Sequence, residues 1–409
     1  MFVTRETILT EAAVPASSIA EAARSIGLAF AWYRLPGDKR HILIVDTSNP
    51  GLIDGPEIEK LEPGFLFAPF QPGAMSVYLR ANLMLSGDGG NFDTLLYSRP
   101  EYYLQAQELL AGGRKGIVDL SVDSSGISNA HIEKSSKKRH FLNMVRQAIG
   151  RIEAGDFSKV VLARKKNRKL PEGFNPGDFF LHLCRHYPSA FVSMVSTPLS
   201  GTWIGATPEP LFRVQGDGMF YTTALAGTQP FRVGKALGSV AWTQKAIEEQ
   251  AMVSRYIINC FKKIRLREFE EDGPKTSRAG NLVHLRSDYR VNMKEVNFPN
   301  LGTVMLRLLH PTSAICGMPR DTSLKFICEH EDFDRRYYAG YLGPVNIGDD
   351  TRIFVNLRCM EVRNGFAELY AGAGITRDSE EEKEWKETSL KIKTLEDALL
   401  KAPVTGTVC

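Results

Sequence analysis

Lys159 and Glu209 stand in local sequences that can alter their acidity, and moving protons on and off a small molecule is the chemistry such a pair performs. Lys159 falls in FSKVVLAR, Phe157 to Arg164, whose alternation predicts a strand with Lys159, Val161 and Ala163 on one face and Val160, Leu162 and Arg164 on the other. An ammonium held among Val and Ala loses hydration, so its pKa falls and the amine becomes a usable base near neutrality. On an edge strand the same side chain would instead carry its amine out to water. Glu209 sits between two prolines in GATPEPLF, Gly205 to Phe212. Such a turn can aim a carboxyl into a cleft as a general acid, although ordinary surface turns read the same way.

Carboxylates at helix borders form a second group. From about Gln244 to Ile264, the residues Ala246, Val253, Ile257, Cys260, Phe261 and Ile264 make one apolar stripe at helical spacing. Glu249 falls on its border and Glu248 points away. A carboxylate there needs a cation or hydrogen-bond donors, so a metal ion or a salt bridge is expected at Glu249. The last helix is announced by Ser379 and Glu382, read as a capping box. Along it Glu384, Glu387 and Lys391 lie within about 60° of one another, beside the stripe Trp385, Ile392, Leu395 and Leu399. A plain i,i+4 ion pair between Glu387 and Lys391 is the simpler reading of that strip. Arg358, among apolar residues of the strand FVNLRCMEV, needs an anion, which a substrate carboxylate or a protein one would supply. Gly372 and Gly374 of LYAGAGI follow a strand and leave amides open to a carboxylate, but the third glycine of a dinucleotide fingerprint is absent. TTALAGTQP, Thr222 to Pro230, reads as a strand ending at Gly227 and Thr228, where backbone amides can approach a ligand closely.

An α+β framework must position these residues, because short strands and helices alternate irregularly and no solenoid repeat appears. Strands are expected at His41 to Val45, Phe65 to Pro69 and Ser76 to Leu79. A helix is expected through Phe141, Met144, Val145, Ala148, Ile149 and Ile152, stopped by Gly155 and Asp156. No linker-like stretch or charge block divides the 409 residues. One domain is therefore expected over 1–409, with 1–135 as a variable N-terminal portion and 136–400 bearing the motifs. With 51 basic and 47 acidic residues the net charge is +4, which gives no footprint for nucleic acid but allows a local basic pocket for a small dianion. Lys137 to Arg139 and Lys165 to Lys169 read as solvated faces or turns. The six cysteines show no CxxC pair and no metal-ligand spacing, and read as reduced core residues. The N-terminal MFVTRETILTEAA lacks the pattern of a signal peptide, and no apolar run reaches about 18 residues. No membrane association and a cytoplasmic location are expected.

Taken in order, a series of stretches resembles the chorismate-utilising enzymes: FSKVVLAR, GATPEPL, ALAGT, LHPTSAICGMPR (Leu309 to Arg320), FDRRYYAG (Phe333 to Gly340), LYAGAGI and EWKETSLK (Glu384 to Lys391). The family includes isochorismate synthase, salicylate synthase, and the large subunits of anthranilate and aminodeoxychorismate synthases. The likeness spans roughly residues 136 to 400. It implies antiparallel β-sheets packed together and flanked by helices, an anthranilate-synthase-large-subunit-like fold with the active site between two halves. It also implies Mg²⁺ held by Glu249 and Glu387, with Glu384 joining through water. The implied substrate shell is Arg358, Tyr338, Gly372, Gly374 and Lys391, with Ala226, Gly227, Thr228 and His310 from the matched motifs.

Within that family a lysine matching Lys159 marks members that add water rather than ammonia. Ala226 stands where aminodeoxychorismate synthases often have a nucleophilic lysine. Isochorismate synthase is therefore the implied activity: Lys159 deprotonates a water attacking C2 of chorismate while Glu209 protonates the departing C4 hydroxyl. The product would feed menaquinone or siderophore biosynthesis, and no amidotransferase segment or obligatory amidotransferase subunit is expected. Salicylate synthase, which shares the hydration step and then expels pyruvate, is an alternative. So are an ammonia-using synthase subunit and a non-catalytic chorismate-binding protein. The chain departs from the family's Lys-Asp-Arg-x-Glu-His with Lys245-Ala246-Ile247-Glu248-Glu249-Gln250, and from Arg-Pro-Arg with Gln229-Pro230-Phe231. The metal-binding glutamate stays while its neighbours change, which predicts weaker metal affinity or activity than in close relatives.

Overall fold

The computed structural model describes residues 7–8, 14–98, 137–231, 236–279 and 282–401. Two antiparallel sheets carry the architecture. Among the described residues twelve strands form the first, where Phe191–Thr197, Gly201–Thr207, Cys359–Arg363, Phe366–Ile375, Lys159–Lys169 and the short Gly317–Met318 lie side by side. Nine form the second, including Leu282–Asn292, Met219–Pro230, Pro210–Val214, Thr351–Val355, Tyr341–Val345 and Gly64–Ala68 in that spatial order. The N-terminal third enters both sheets: Ala29–Arg34 pairs with Phe191–Thr197, and Gly64–Ala68 with Tyr341–Val345. The expected early strands appear as His41–Asp46, Gly64–Ala68 and Ser76–Arg80.

The Lys159–Lys169 strand runs antiparallel to Phe366–Ile375 from Val160 opposite Ile375 to Lys169 opposite Phe366. It continues five residues past the expected end, and the period-two alternation carries inward a lysine that composition alone assigns to solvent. Lys165 is buried, its Nζ 3.9 Å from Glu368. Lys138 and Arg139, at the start of the Lys138–Glu153 helix, are exposed as expected, and that helix stops before Gly155, where φ is +85°.

Two helices frame the site. Gln244–Lys263 packs on the Met219–Pro230 and Leu282–Asn292 strands through Val253, Ile257, Cys260 and Phe261. Its start is capped by Thr243, whose hydroxyl accepts from the Ala246 N–H at 3.3 Å. Glu381–Lys401 lies against Phe366–Ile375 and buries Ile392, Leu395 and Leu399. The expected capping box gives way to a different use of the same serine: the Ser379 hydroxyl accepts from the Thr376 N–H at 3.1 Å and hydrogen-bonds the Glu384 carboxyl.

Aromatic rings bridge the sheets. Phe191 and Phe354, one from each, stack 4.1 Å apart at 4°, and Phe67 stacks on Tyr337 at 4.1 Å beside Trp203. Each such buried phenyl ring contributes roughly 1.5–3 kcal/mol by leaving water. Cys260, Cys316 and Cys359 are buried thiols, Cys184 is half-buried, and Cys328 is exposed, departing from the core assignment; Cys409 lies outside the described residues. Among the described residues no helix is long and apolar enough to cross a membrane.

Candidate active site

Two neighbouring passages take the chain between the sheets, and each presents a charged side chain. Gly201–Thr207 belongs to the first sheet and Pro210–Val214 to the second, with Pro208 and Glu209 between them. Proline at both flanks withholds ladder N–H groups and helps end the pairing there. In the opposite sense, Thr351–Val355 of the second sheet leads through Asn356, Leu357 and Arg358 to Cys359–Arg363 of the first. The expected strand FVNLRCMEV is thus two strands, and Arg358 sits in the break with φ +48°, a left-handed conformation that costs a non-glycine residue energy unless its surroundings hold it. Hydrogen bonds stitch the passages together. The Val355 N–H donates to the Glu209 carbonyl (3.0 Å), the Thr207 hydroxyl to the Val355 carbonyl (2.7 Å), and the Ala206 N–H to the Arg358 carbonyl (3.0 Å).

Lys159 is 8% exposed, so its amine does not reach bulk water as an edge-strand lysine would. Burial drives its pKa down, opposed by the charges of Glu249, Glu209 and Glu387 and reinforced by Lys391. Burial pushes the Glu209 carboxyl up to about 7, against the pull of Lys159, Lys391 and Arg358. Burial thus shifts the two groups in opposite directions, the amine down and the carboxyl up, which suits base and acid working on one substrate.

Two glycines make room around them. A Cβ on Gly374 would stand 2.9 Å from Lys159 Cε, and one on Gly372 would stand 3.1 Å from the Tyr338 hydroxyl. Lys391 donates to the Gly372 carbonyl at 2.9 Å and pairs with Glu387 at 2.7 Å, while Arg358 Nη1 donates to the Lys391 carbonyl at 3.4 Å. Tyr338 is buried, stacked on Tyr370 at 5.3 Å, and lies within the field of Arg358. The structure thus gathers Lys159, Glu209, Glu249, Glu387, Lys391, Arg358, Tyr338, Gly372 and Gly374 into one neighbourhood.

The remaining carboxylates bear on metal binding. Glu384 is 4% exposed, and burial and Glu387 raise its pKa while Ser379, Lys245 and Lys391 oppose. Lys245 lies one turn before Glu249, so the first turns of its helix and of the C-terminal helix face each other here. Three carboxylates supply the hard oxygens that Mg²⁺ takes, so the donor set fits such an ion in type. Among the described residues no three ligating side chains already stand close enough to hold one, and Glu387 spends its charge on Lys391.

Other expected residues lie differently. Gly227 does not end its strand: it forms a bulge at φ +68° between Ala226 and Thr228, and the strand runs on to Pro230. A Cβ there would meet Ala246 at 3.1 Å and Trp242 at 3.2 Å, so protein makes the close approach to Gly227. His310 donates from Nε2 to the Phe70 carbonyl (3.1 Å) and packs against Tyr341. Burial lowers its pKa to about 4 and, among the described residues, leaves Nδ1 without a partner; its contacts with Phe70, Tyr341 and Arg320 lie outside the Lys159 group. Tyr187 was not singled out by sequence: its hydroxyl donates to the Thr394 carbonyl (3.2 Å) and its ring lies in the field of Arg358. Nothing in its local sequence marks that role.

Known proteins resemble this chain in sequence and in fold. A family described as chorismate binding enzyme matches residues 105–400. The salicylate biosynthesis isochorismate synthase of Pseudomonas aeruginosa is 28% identical over 380 residues, 85% of this chain and 76% of that protein. Isochorismate synthase DhbC of Bacillus subtilis is 30% identical over 282 residues, 65% of this chain and 69% of its own. The solved structure of MenF, the menaquinone-specific isochorismate synthase from Escherichia coli, superposes with a TM-score of 0.73 at 21% identity, covering 97% of this chain and 95% of that one. That likeness shows the fold.

Proposed function

The chain belongs to the chorismate-binding enzyme family, and on that premise we propose that it is an isochorismate synthase, converting chorismate to isochorismate by adding water at C2 and losing the C4 hydroxyl. The observation that carries this reading is the opposed pair: an amine whose pKa burial lowers and a carboxyl pushed up to about 7, each within the field of the other. Lys159 takes a proton from water as its oxygen bonds to C2. The ring double bonds shift, the C4–O bond breaks, and Glu209 gives its proton to the departing oxygen, which leaves as water. The cycle closes when Lys159 loses that proton and Glu209 regains one.

Arg358, Lys391 and the Tyr338 hydroxyl bind and orient the substrate's carboxylates beside the glycines at 372 and 374. Glu249, Glu384 and Glu387 would hold Mg²⁺, which when bound supplies charge neutralisation and orientation of a ring carboxylate. The basic Lys159 supports water rather than ammonia as nucleophile. The relatives' names include salicylate biosynthesis, so product identity is the deciding measurement. Purified protein given chorismate and Mg²⁺ should form isochorismate without pyruvate. Fluorescent salicylate with stoichiometric pyruvate would assign the salicylate synthase activity instead, and no turnover would remove the enzymatic reading. Lys159→Ala and Glu209→Gln should each lose about 100-fold or more in kcat, the usual range for a general base or acid.

A further inference from the structure

Gln250 stands where the family commonly has histidine, next to the proposed metal-binding Glu249, and the site as described gives it no task. It is 3% exposed, and both polar atoms have a partner: Nε2 donates to the Ser287 hydroxyl at 2.9 Å, and Oε1 accepts from the hydroxyl of Ser254, one turn along the same helix, at 3.3 Å. Ser287 is wholly buried on the Leu282–Asn292 strand, opposite Ala224 of Met219–Pro230. The polar chain continues to the Tyr289 phenol, which lies beside Ser254 and Ser287 and donates to Glu271 at 2.9 Å. This network is set in an otherwise apolar contact made by Val253, Ile257, Cys260 and Phe261.

Apolar packing alone fixes the rotation of a helix loosely, because neighbouring side chains can exchange places in the same greasy groove. A buried hydrogen-bonded group is satisfied at one rotation only, and any other leaves donors and acceptors unpaired. Successive helical residues are about 100° apart, so anchoring Gln250 on the sheet dictates where its neighbour points. Glu249 then falls at the border of the contact, half-buried, and Glu248 is turned out to solvent.

We infer that Gln250, tied to the sheet by Ser287 and braced along its own helix by Ser254, is a positioning residue that sets the rotation of the Gln244–Lys263 helix and so aims the Glu249 carboxylate at the metal position. The inference rests on the proposed function. It also runs against the expectation that the loss of histidine weakens the site, because the nitrogen and the oxygen of the amide each find a hydroxyl partner.

The test is calorimetric titration of Mg²⁺ into the purified, substrate-free protein, with Mg²⁺ activation of chorismate turnover measured alongside. Gln250→Leu keeps the volume and removes both hydrogen bonds; it should weaken Mg²⁺ binding by about tenfold or more, as loss of supporting partners at metal sites does. Ser287→Ala should weaken it in the same direction, the double variant should be no worse than Gln250→Leu alone, and Gln250→His should restore binding. A purely structural role would lower the melting temperature of Gln250→Leu and leave Mg²⁺ affinity at the wild-type value, which would overturn the inference while the proposed function stood. Additive losses in the double variant would overturn it as well. Wild-type protein that neither binds Mg²⁺ nor uses it in turnover would instead overturn the metal assignment, and this inference with it.

Discussion

Gly374 leaves the space that the Lys159 side chain occupies: a Cβ added to the glycine would stand 2.9 Å from Lys159 Cε, closer than carbon atoms pack. The atom in the way is near the end of a flexible side chain, so the chain can accommodate a methyl group cheaply by moving the lysine. Gly374→Ala should therefore leave the melting temperature within a few degrees of wild type, in line with a cost under about 1.5 kcal/mol for a small overpacking relieved by a rotamer. It should nonetheless lower kcat by about tenfold or more, because a displaced amine no longer meets its water at the required distance. Full activity in a well-folded variant would show that the position of the Lys159 amine does not matter.

Glu209 ties activity to pH through a carboxyl that must be protonated to act. With its pKa pushed up to about 7 by burial, kcat/KM for chorismate should decline as pH rises through that value. The lowered pKa of Lys159 keeps its amine deprotonated over a wider range than an exposed lysine allows. Stability should follow the same group. Folding raises the Glu209 pKa, so the stabilisation from retaining its proton is complete below the unfolded value of about 4.5 and is lost as pH rises through about 7. Glu209→Gln, which cannot ionise, should melt higher than wild type at about pH 8 and close to it at about pH 4. Thermal melts of both proteins across that range check the sign, and a variant less stable than wild type at the higher pH would contradict it.

How much of this was legible beforehand follows from what repeats in a sequence and what does not. The alternation of FSKVVLAR set the strand and the direction of Lys159, and the helical stripe placed Glu249 on its border with Glu248 turned away, as their burial shows. Periodicity reads such faces because it is local. The break at Arg358 was hidden, because Phe354 to Val362 carries no glycine or proline to mark a break and the passage between sheets depends on partners such as Ala206 more than 140 residues away. Lys165 was misplaced because charge composition was weighed over alternation. Ser379 was read as a cap because its spacing to Glu382 fits one; its actual partners, Thr376 and Glu384, are set by the turn and by a buried carboxyl in need of a donor.

Arg358 should serve substrate binding more than fold. Its guanidinium makes one weak bond, to the Lys391 carbonyl at 3.4 Å, and lies in the fields of Tyr338, Glu387 and Glu209 while burial lowers its pKa. Arg358→Ala should raise the KM for chorismate by about tenfold or more, the worth of a charge-assisted bond to a carboxylate. Arg358→Lys should recover only part of that loss, since a point charge cannot reproduce a two-pronged contact. Steady-state kinetics at saturating Mg²⁺ separate the terms, and an unchanged KM in both variants would remove Arg358 from the substrate shell.

The strand that carries Lys159 depends on a buried ion pair remote from the reacting groups. Arg335 and Glu331 meet at 2.5 Å with both side chains 3% exposed. Between them they hold the strand's backbone: Arg335 donates to the Val161 carbonyl at 2.7 Å, and Glu331 accepts from the Ala163 N–H at 2.7 Å. Arg335 also donates to the Ile315 carbonyl at 2.9 Å, tying in the segment that follows the Leu301–Leu309 helix. Removing one charge of such a pair leaves the other buried and uncompensated, which typically costs about 3–5 kcal/mol. Glu331→Gln should sit near the lower figure because the amide oxygen can still accept from Ala163, and Glu331→Ala near the upper because it cannot. Denaturant melts should show that order, with the two variants differing by roughly the worth of one buried hydrogen bond, about 1–2 kcal/mol. Equal stabilities would mean that the ion pair matters only as charge and that the Ala163 contact contributes nothing to holding Lys159 in place.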